Sequence, residues 1–363
     1  MLSISLPPQP RFLIVRLSAI GDCVHGLPVA CALRRAFPAC HIGWVVEGRT
    51  ANLLQRHPVI DQVLAVPRGW YRSPGQIWHL RHLVRAFEPT LTLDLQGLTK
   101  SAAVAWLSGC RTRIGFAGAE GRELSPWLNT HKVASSITHV VDKNLQLLQP
   151  LGIDPAPVEF QLPHDQAAAV SMSAYLQSRL TPSGVTQVKN AFVTPRFALL
   201  NPGAGWGSKR WPRARFAAVA RELASRFDLK SVIAWAPGEE QGWATEITRE
   251  SAGAAVLAPP TDLQEFIELA RLATVVISGD TGPLHLAAAA GTPCVALFGP
   301  SDGQRNGPYG TGHITLQKTR LIGSSRERRH ADDAAIRAIQ VTDVMAACQQ
   351  LLAVEATIKP IAA

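Results

Sequence analysis

The chain has 363 residues, a length that suits two domains of ordinary size. Apolar residues make up 47% and charged residues 17%, which excludes a disordered chain and predicts a packed globular protein. The formal net charge of +9 favours an anionic partner: nucleic acid, a phosphorylated sugar or an acidic membrane surface.

The segment before Arg11 carries three prolines and no long apolar core, so it does not read as a signal peptide. Phe12-Leu13-Ile14-Val15 reads as a buried strand. Ser18-Ala19-Ile20-Gly21-Asp22 follows as a loop, and residues 24–37 read as a helix with an irregularity at Pro28. Strands are predicted at 41–46 and 63–66, before a Trp/Arg-rich stretch at 68–72. An amphipathic helix follows at 77–87, a strand at 91–95 and a helix at 101–107. The rhythm breaks between about 163 and 195, where one helix (166–179) and a polar loop stand. The chain therefore divides into a first domain at 1–165, a connection at 166–195 and a second domain at 196–363.

The second series opens with a strand at 197–200, a glycine-rich loop at 201–208 and a helix at 214–227. A strand at 231–235 and helices at 241–251 and 263–272 follow. Strands at 275–277 and 294–298 flank the loop Ser278-Gly279-Asp280-Thr281-Gly282-Pro283, and 341–354 reads as a last helix. The apolar run 272–300 is broken at that loop and again at Gly291-Thr292-Pro293, so it reads as strand, helix, strand and not as a membrane span. Strands alternating with helices predict an α/β protein with a parallel sheet in each half. Two doubly wound halves facing a central cleft would bind ligands at the carboxyl ends of their strands. None of the six cysteines forms a C-x-x-C pair, and most lie in apolar surroundings, which predicts buried thiols in a reducing compartment.

Four stretches carry the chemistry. Arg16-Leu17-Ser18-Ala19-Ile20-Gly21-Asp22 leaves the first strand, where a carboxylate could act as a general base. Asp22 as a helix-start acid is the plainer alternative. The loop lacks the G-x-G-x-x-G dinucleotide fingerprint. Asp94-Leu95-Gln96-Gly97-Leu98-Thr99-Lys100-Ser101 is followed by Gly121-Arg122-Glu123; Lys100 and Arg122 could hold acidic groups of an acceptor, or form a solvated charged face. Asn201-Pro202-Gly203-Ala204-Gly205-Trp206-Gly207-Ser208-Lys209-Arg210-Trp211-Pro212 lets a ligand approach the backbone at Ala204 and Gly205, with Lys209 and Arg210 adding positive charge. It is not a Walker A loop, and a plain surface turn is the alternative. Glu239 or Glu240 could accept hydrogen bonds from a ribose, or serve only as helix-start acids.

The fourth is Gly279-Asp280-Thr281-Gly282-Pro283-Leu284-His285. A strand stops at a small-residue loop and a helix opens with proline in its first turn. Free N–H groups and the positive end of the helix dipole suit a diphosphate there. Asp280 and Thr281 sit where a ligand's hydroxyls would lie, with His285 in the first turn. A capped connection with a buried histidine is the alternative. No D-x-D pair occurs in the chain, so no obligatory metal and no cofactor are expected. No helix-turn-helix, zinc or RNA motif accompanies the charge, so nucleic acid is not the expected partner.

In order, Ser18-x-x-Gly21-Asp22, Asp94-x-Gln96-Gly97-Leu98-x-Lys100-Ser101-Ala102, Lys209-x-Trp211-Pro212 and Gly279-Asp280-Thr281-Gly282-x-x-His285 resemble the heptosyltransferase family of bacterial lipopolysaccharide assembly, over about residues 11–352. The Gln96–Ser101 block and Gly121-Arg122-Glu123 resemble the heptosyltransferase I branch more than the heptosyltransferase II branch. The resemblance implies a GT-B architecture of two Rossmann-like domains, the first binding acceptor and the second binding ADP-heptose. It implies Asp22 as catalytic base and Lys209 as the cation on the donor diphosphate. Ala204, Gly205, Glu239, Glu240, Asp280, Thr281, Gly282 and His285 would line the donor site, and Ser18, Lys100 and Arg122 the acceptor site. The chain departs from the family at Ala204 and Gly205, where heptosyltransferase I would carry hydroxyl residues near the phosphates, so backbone N–H groups would take their place. The charged stretch 324–333 has no counterpart in these motifs. The implied reaction is inverting transfer of L-glycero-D-manno-heptose to a lipid A-linked 3-deoxy-octulosonate. The protein would then be cytoplasmic and would visit the anionic inner face of the inner membrane through Arg68, Arg72, Lys100, Arg113 and Arg122. A related transferase with another sugar or acceptor is the nearest alternative, and a non-catalytic nucleotide-sugar-binding module a more distant one.

Overall fold

The computed structural model describes residues 4–181 and 195–358. The chain forms two compact units, one ending at Pro163 and the other beginning at His164.

The first unit is built on six parallel strands: β1 (Arg11–Val15), β2 (His41–Glu47), β3 (Gln62–Val66), β4 (Leu91–Asp94), β5 (Arg113–Phe116) and β6 (His131–Val133). Their spatial order is β3-β2-β1-β4-β5-β6. The second unit has β7 (Phe197–Asn201), β8 (Lys230–Ile233), β9 (Ala255–Leu257), β10 (Val275–Gly279), β11 (Cys294–Leu297) and β12 (His313–Leu316), in the order β12-β11-β10-β7-β8-β9. Counted from its own first strand, each sheet has the doubly wound order 3-2-1-4-5-6. The order reverses between β1 and β4 in one unit and between β7 and β10 in the other, which is where such sheets bind ligands.

The central strands are buried along most of their length: β1, β4, β7 and β10 read as apolar runs because helices cover both faces. Leu13, Val15, Val45, Leu80, Val84, Phe87 and Val104 pack together in the first unit. Leu200, Phe216, Leu223, Ile233, Ile277, Val295 and Val344 do so in the second. The helix Gln166–Leu180 packs on the helix Leu263–Leu272. Within it, the Tyr175 hydroxyl donates to the Leu257 carbonyl. All six cysteines are free and buried, and burial pushes the thiols of Cys23, Cys31 and Cys294 up, away from thiolate chemistry. Among the described residues no helix is long and apolar enough to cross a membrane.

Two expectations are corrected. The helix predicted at 24–37 is two helices, Ile20–Val24 and Leu27–Ala36. The break falls at His25-Gly26 and not at Pro28, which sits harmlessly in the first turn of the second helix. Gly26 lies so close to the Trp44 ring that a Cβ there would stand 2.9 Å from it. The outer strands β5, β6, β9 and β12 were not expected. They have three or four residues each, too short for a hydrophobic run to declare itself.

Candidate active site

In the second unit the polar residues gather where β7 and β10 lie side by side. Asn201 closes β7 and pairs in register with Ser278 of β10. Asn201 Nδ2 donates to Ser278 Oγ at 2.9 Å and to Thr281 Oγ1 at 3.2 Å. Thr281 is the N-cap position of the helix Gly282–Ala289, yet its hydroxyl does not cap it; the hydroxyl is fixed by Asn201 and Ser278. The first N–H groups of the helix are thereby left to another acceptor.

Beside them, Lys209 Nζ meets Asp280 Oδ2 at 2.5 Å, and His285 Nε2 donates to Asp280 Oδ1 at 3.3 Å. All three side chains are nearly buried, at 14%, 10% and 5% exposure respectively. Burial alone would push the Asp280 carboxyl up. The hydrogen bond from His285 and the charge of Lys209 outweigh it and hold the group well below the usual carboxylate range. Lys209 Nζ also lies 4.3 Å from the centre of the Trp206 ring.

The glycine-rich loop surrounds this triad. Ala204 is buried and its carbonyl accepts from Arg210 Nε at 3.2 Å, while Gly205 is exposed. Glu240 turns back to accept from the Ala236 N–H at 3.0 Å and fills the space beside Gly203, where a Cβ would stand 2.4 Å from its Oε2. Glu239 is exposed at the start of the helix Glu239–Glu250.

In the first unit Asp22 sits in the first turn of the short helix after β1. Its Oδ2 accepts from the Ala19 N–H at 2.9 Å, as a helix-start acid would. Its Oδ1 meets Arg16 Nη2 at 2.5 Å, and the side chain remains 41% exposed. Arg16 is buried and donates a second time to the Leu95 carbonyl. The carboxylate is therefore held in one orientation with one edge open to solvent. Ser18 is half-buried in the same loop.

On the neighbouring strand, in register with Val15, Asp94 is fully buried at the end of β4. It accepts from the Gln96 and Gly97 N–H groups, each at 3.0 Å, from Ser125 Oγ at 3.1 Å and from Asn129 Nδ2 at 3.3 Å. Burial outweighs these bonds and pushes its carboxyl up. Lys100, in the first turn of the helix Thr99–Leu107, reaches Glu47 Oε2 at 3.4 Å. It also lines an open, largely apolar groove of about 500 Å³ with Trp70, Tyr71, Leu98, Trp106 and Glu123. Arg122 is exposed, its N–H donating to the Gly97 carbonyl. Arg113 is not available to a partner: its guanidinium donates to the Leu128 and Cys110 carbonyls.

The structure thus brings Lys209, Asp280, Thr281, Gly282 and His285 together at one set of strand ends, with Ala204, Gly205 and Glu240 around them. It places Asp22 and Ser18 on the corresponding loop of the first unit. Sequence reasoning gave no role to Arg16, Asn201 or Ser278. Arg16 and Asp22 flank a single loop, a signal that could have paired them; Asn201 and Ser278 stand 77 residues apart and meet only through strand register.

The model of glycosyltransferase family 9 (heptosyltransferase) matches residues 77–333, more than half of the chain. Lipopolysaccharide heptosyltransferase 1 of Pseudomonas aeruginosa is 26% identical over 315 residues, covering 84% of this chain and 83% of its own. A glycosyltransferase of family 9 from Veillonella parvula superposes with a TM-score of 0.77 at 21% identity, over 97% of this chain and 99% of its own. An Escherichia coli heptosyltransferase solved with ADP superposes with a TM-score of 0.71 at 20% identity, over 94% and 99%. The two doubly wound sheets are those of the GT-B architecture.

Proposed function

The chain belongs to glycosyltransferase family 9, the heptosyltransferases, and from that membership we propose that it transfers L-glycero-D-manno-heptose from ADP-heptose to a lipid A-linked 3-deoxy-octulosonate with inversion. Asp22 takes the proton of the acceptor hydroxyl as that oxygen attacks the anomeric carbon. The bond from that carbon to the diphosphate oxygen breaks, and its electron pair leaves with ADP. Lys209, Arg210 and the start of the helix Gly282–Ala289 stabilise the charge that develops on the departing phosphate. Asp280, Thr281 and His285 set the sugar and its phosphate against Lys209. Backbone groups at Ala204 and Gly205 face the diphosphate, and Glu239 or Glu240 holds the ribose. Ser18, Lys100 and Arg122 receive the acidic acceptor.

The observation that carries this reading is the complementary chemistry of the two strand-end sites. One presents an oriented, half-exposed carboxylate, Asp22, and the other a buried cation–carboxylate–imidazole cluster under a helix start. A binding module would need only the second.

Tyr71, Trp78, Trp106, Leu124 and Trp127 are large apolar side chains exposed in the first unit, accompanied by the exposed Arg68, Arg72 and Arg122. That composition supports contact with an anionic membrane surface, at whose cytoplasmic face a lipid acceptor would be met.

The test is mass spectrometry of products from ADP-heptose and two acceptors, one ending in 3-deoxy-octulosonate and one already carrying a heptose. Addition of one heptose to the first acceptor alone is the expected result. Addition only to the second would move the acceptor one sugar outward. No transfer to either, with ADP still bound, would favour the binding module.

A further inference from the structure

The charged segment 324–333 has no part in the reading above, yet it touches the loop that carries Lys209. The short helix Ser325–His330 packs against that loop, and Ser208 Oγ donates to the Arg328 carbonyl at 2.8 Å. This bond sets the next residue beside the ligand loop. The Arg329 guanidinium stands 5.1 Å from the centre of the Trp206 ring, the same ring that Lys209 Nζ approaches at 4.3 Å. One aromatic side chain thus gathers two cations from segments 120 residues apart.

Of the cations nearby, only Lys209 is offset by a carboxylate. Lys209 is paired with Asp280 at 2.5 Å, so that pair is close to neutral. Arg210 donates to the Ala204 carbonyl, and its guanidinium lies 4.4 Å from the centre of the Trp243 ring. Arg329 is exposed and forms no ion pair among the described residues. Ala204 and Gly205 offer a ligand no side-chain donors, and the space beside Gly205 and Gly207 is open: a Cβ at either would meet nothing within 4 Å. A nucleoside diphosphate brings more negative charge than Arg210 and a near-neutral Lys209–Asp280 pair can offset together.

We propose that Arg329 is a second cation for the donor diphosphate, seated on Trp206 beside Lys209 and held there by the Ser208–Arg328 bond. The segment 324–333 then supplies, from a distant part of the same chain, the donors that the Ala204-Gly205 loop lacks. This rests on the reading of the second unit as the donor site.

Calorimetric titration of ADP into the whole protein tests it, with wild type, Arg329→Ala, Arg329→Lys and Lys209→Ala compared and the unliganded Tm of each recorded. Arg329→Ala should weaken ADP about tenfold, the scale of one charge-assisted contact, with an unchanged Tm. Arg329→Lys should recover part of the loss, and wild-type affinity should fall more steeply with salt than that of Arg329→Ala. Unaltered ADP affinity in Arg329→Ala, with Lys209→Ala still impaired, overturns the proposal and leaves the donor-site reading standing. Weakened binding with a lowered Tm and no recovery in Arg329→Lys also overturns it, because the segment would then serve only to hold the loop. No ADP binding by wild type, or full binding by Lys209→Ala, sinks the donor-site reading and this inference with it.

Discussion

The two units share one strand order and each places an acid–cation pair at its reversal point, Arg16–Asp22 in the first and Lys209–Asp280 in the second, both at 2.5 Å. They differ in which partner is covered. In the first the cation is buried and the acid is 41% exposed; in the second both are nearly buried, at 14% and 10%. An exposed, oriented carboxylate can exchange a proton with a hydroxyl that approaches it. A buried pair cannot do so without opening, and its desolvation is offset only by good geometry. The same topology therefore yields one site suited to proton transfer and one suited to holding charge. The adjacent strand ends differ as well: β4 closes on a buried carboxylate, Asp94, whereas β7 and β10 meet through the neutral set Asn201, Ser278 and Thr281.

The sharpest way to break this comparison is to neutralise each acid in turn. Asp22→Asn keeps the size and the contact with Ala19 N–H but removes the proton acceptor. It should lower kcat about 10²- to 10⁴-fold. ADP affinity should stay at the wild-type value, because Asp22 lies outside the second unit. A steady-state assay with calorimetry on the same sample reads both, and near-normal turnover would end the distinction between the sites.

Next in size is the loss of the buried cation. Lys209→Ala leaves Asp280 as a buried carboxylate with only His285 and should weaken ADP about 10- to 100-fold, the worth of a charged contact. Asp280→Ala should weaken ADP-heptose more than ADP if the carboxylate reads sugar hydroxyls. Equal losses for the two ligands would assign Asp280 to holding Lys209 alone.

Protonation separates the two units in opposite directions. Asp280 is held below its unfolded value of about 3.9, so the folded second unit binds fewer protons than the unfolded chain. Its contribution to stability is complete above that value and is lost as pH falls. Burial raises the Asp94 carboxyl, so the folded first unit retains a proton that the unfolded chain releases. Its contribution is complete below about pH 3.9 and declines as pH rises through the folded value. Hydrogen exchange resolved by unit between pH 3 and 7 should show the second unit loosening in acid first, and Asp280→Asn should flatten that acid limb. Asp94→Asn should flatten the opposite slope in the first. Parallel profiles in both units would contradict the division.

The central strands were legible because each is an apolar run bounded by loop residues, Phe12-Leu13-Ile14-Val15 and Val275-Val276-Ile277 most clearly. Of the outer strands only β3 was, since Arg113–Phe116 and His313–Leu316, for example, owe their conformation to the neighbour they pair with rather than to their own pattern. Candidate residues were legible where they closely follow a strand, as Asp22, Lys209 and Asp280 do, although Asp22 lies in the first turn of the helix Ile20–Val24 rather than in the loop expected at 18–22. Their partners were not. Asp94 meets Asn129, 35 residues on, and Ser208 meets Arg328, 120 residues on, through packing that no local window contains. The break at Gly26 was hidden for the same reason: the Trp44 ring that demands a glycine there comes from the next strand.

The smallest expected effect extends the contrast to the outer surfaces. Of the large apolar side chains exposed among the described residues, Tyr71, Trp78, Trp106, Leu124, Trp127 and Ile137 belong to the first unit and only Val170 and Ile322 to the second. Amphipathic rings interspersed with arginine suit a lipid–water boundary, where each basic residue contributes about 1 kcal/mol near an anionic surface. Lys100 contributes less than that, because Glu47 already answers its charge at 3.4 Å. Arg113 keeps its charge but turns its guanidinium to two backbone carbonyls rather than outward. The exposed Arg68, Arg72 and Arg122 are the cations on which the expectation rests. Arg122→Gln should weaken binding to vesicles rich in anionic lipid about fivefold at low salt, and the difference should vanish as salt rises. Replacing Lys100 as well should raise the acceptor KM while leaving ADP affinity unchanged. Sedimentation with vesicles of anionic and of zwitterionic lipid measures the first effect. Equal binding to both lipids would mean that the aromatic side chains alone make the contact, and binding to neither would leave the tryptophan-bearing face to a different partner.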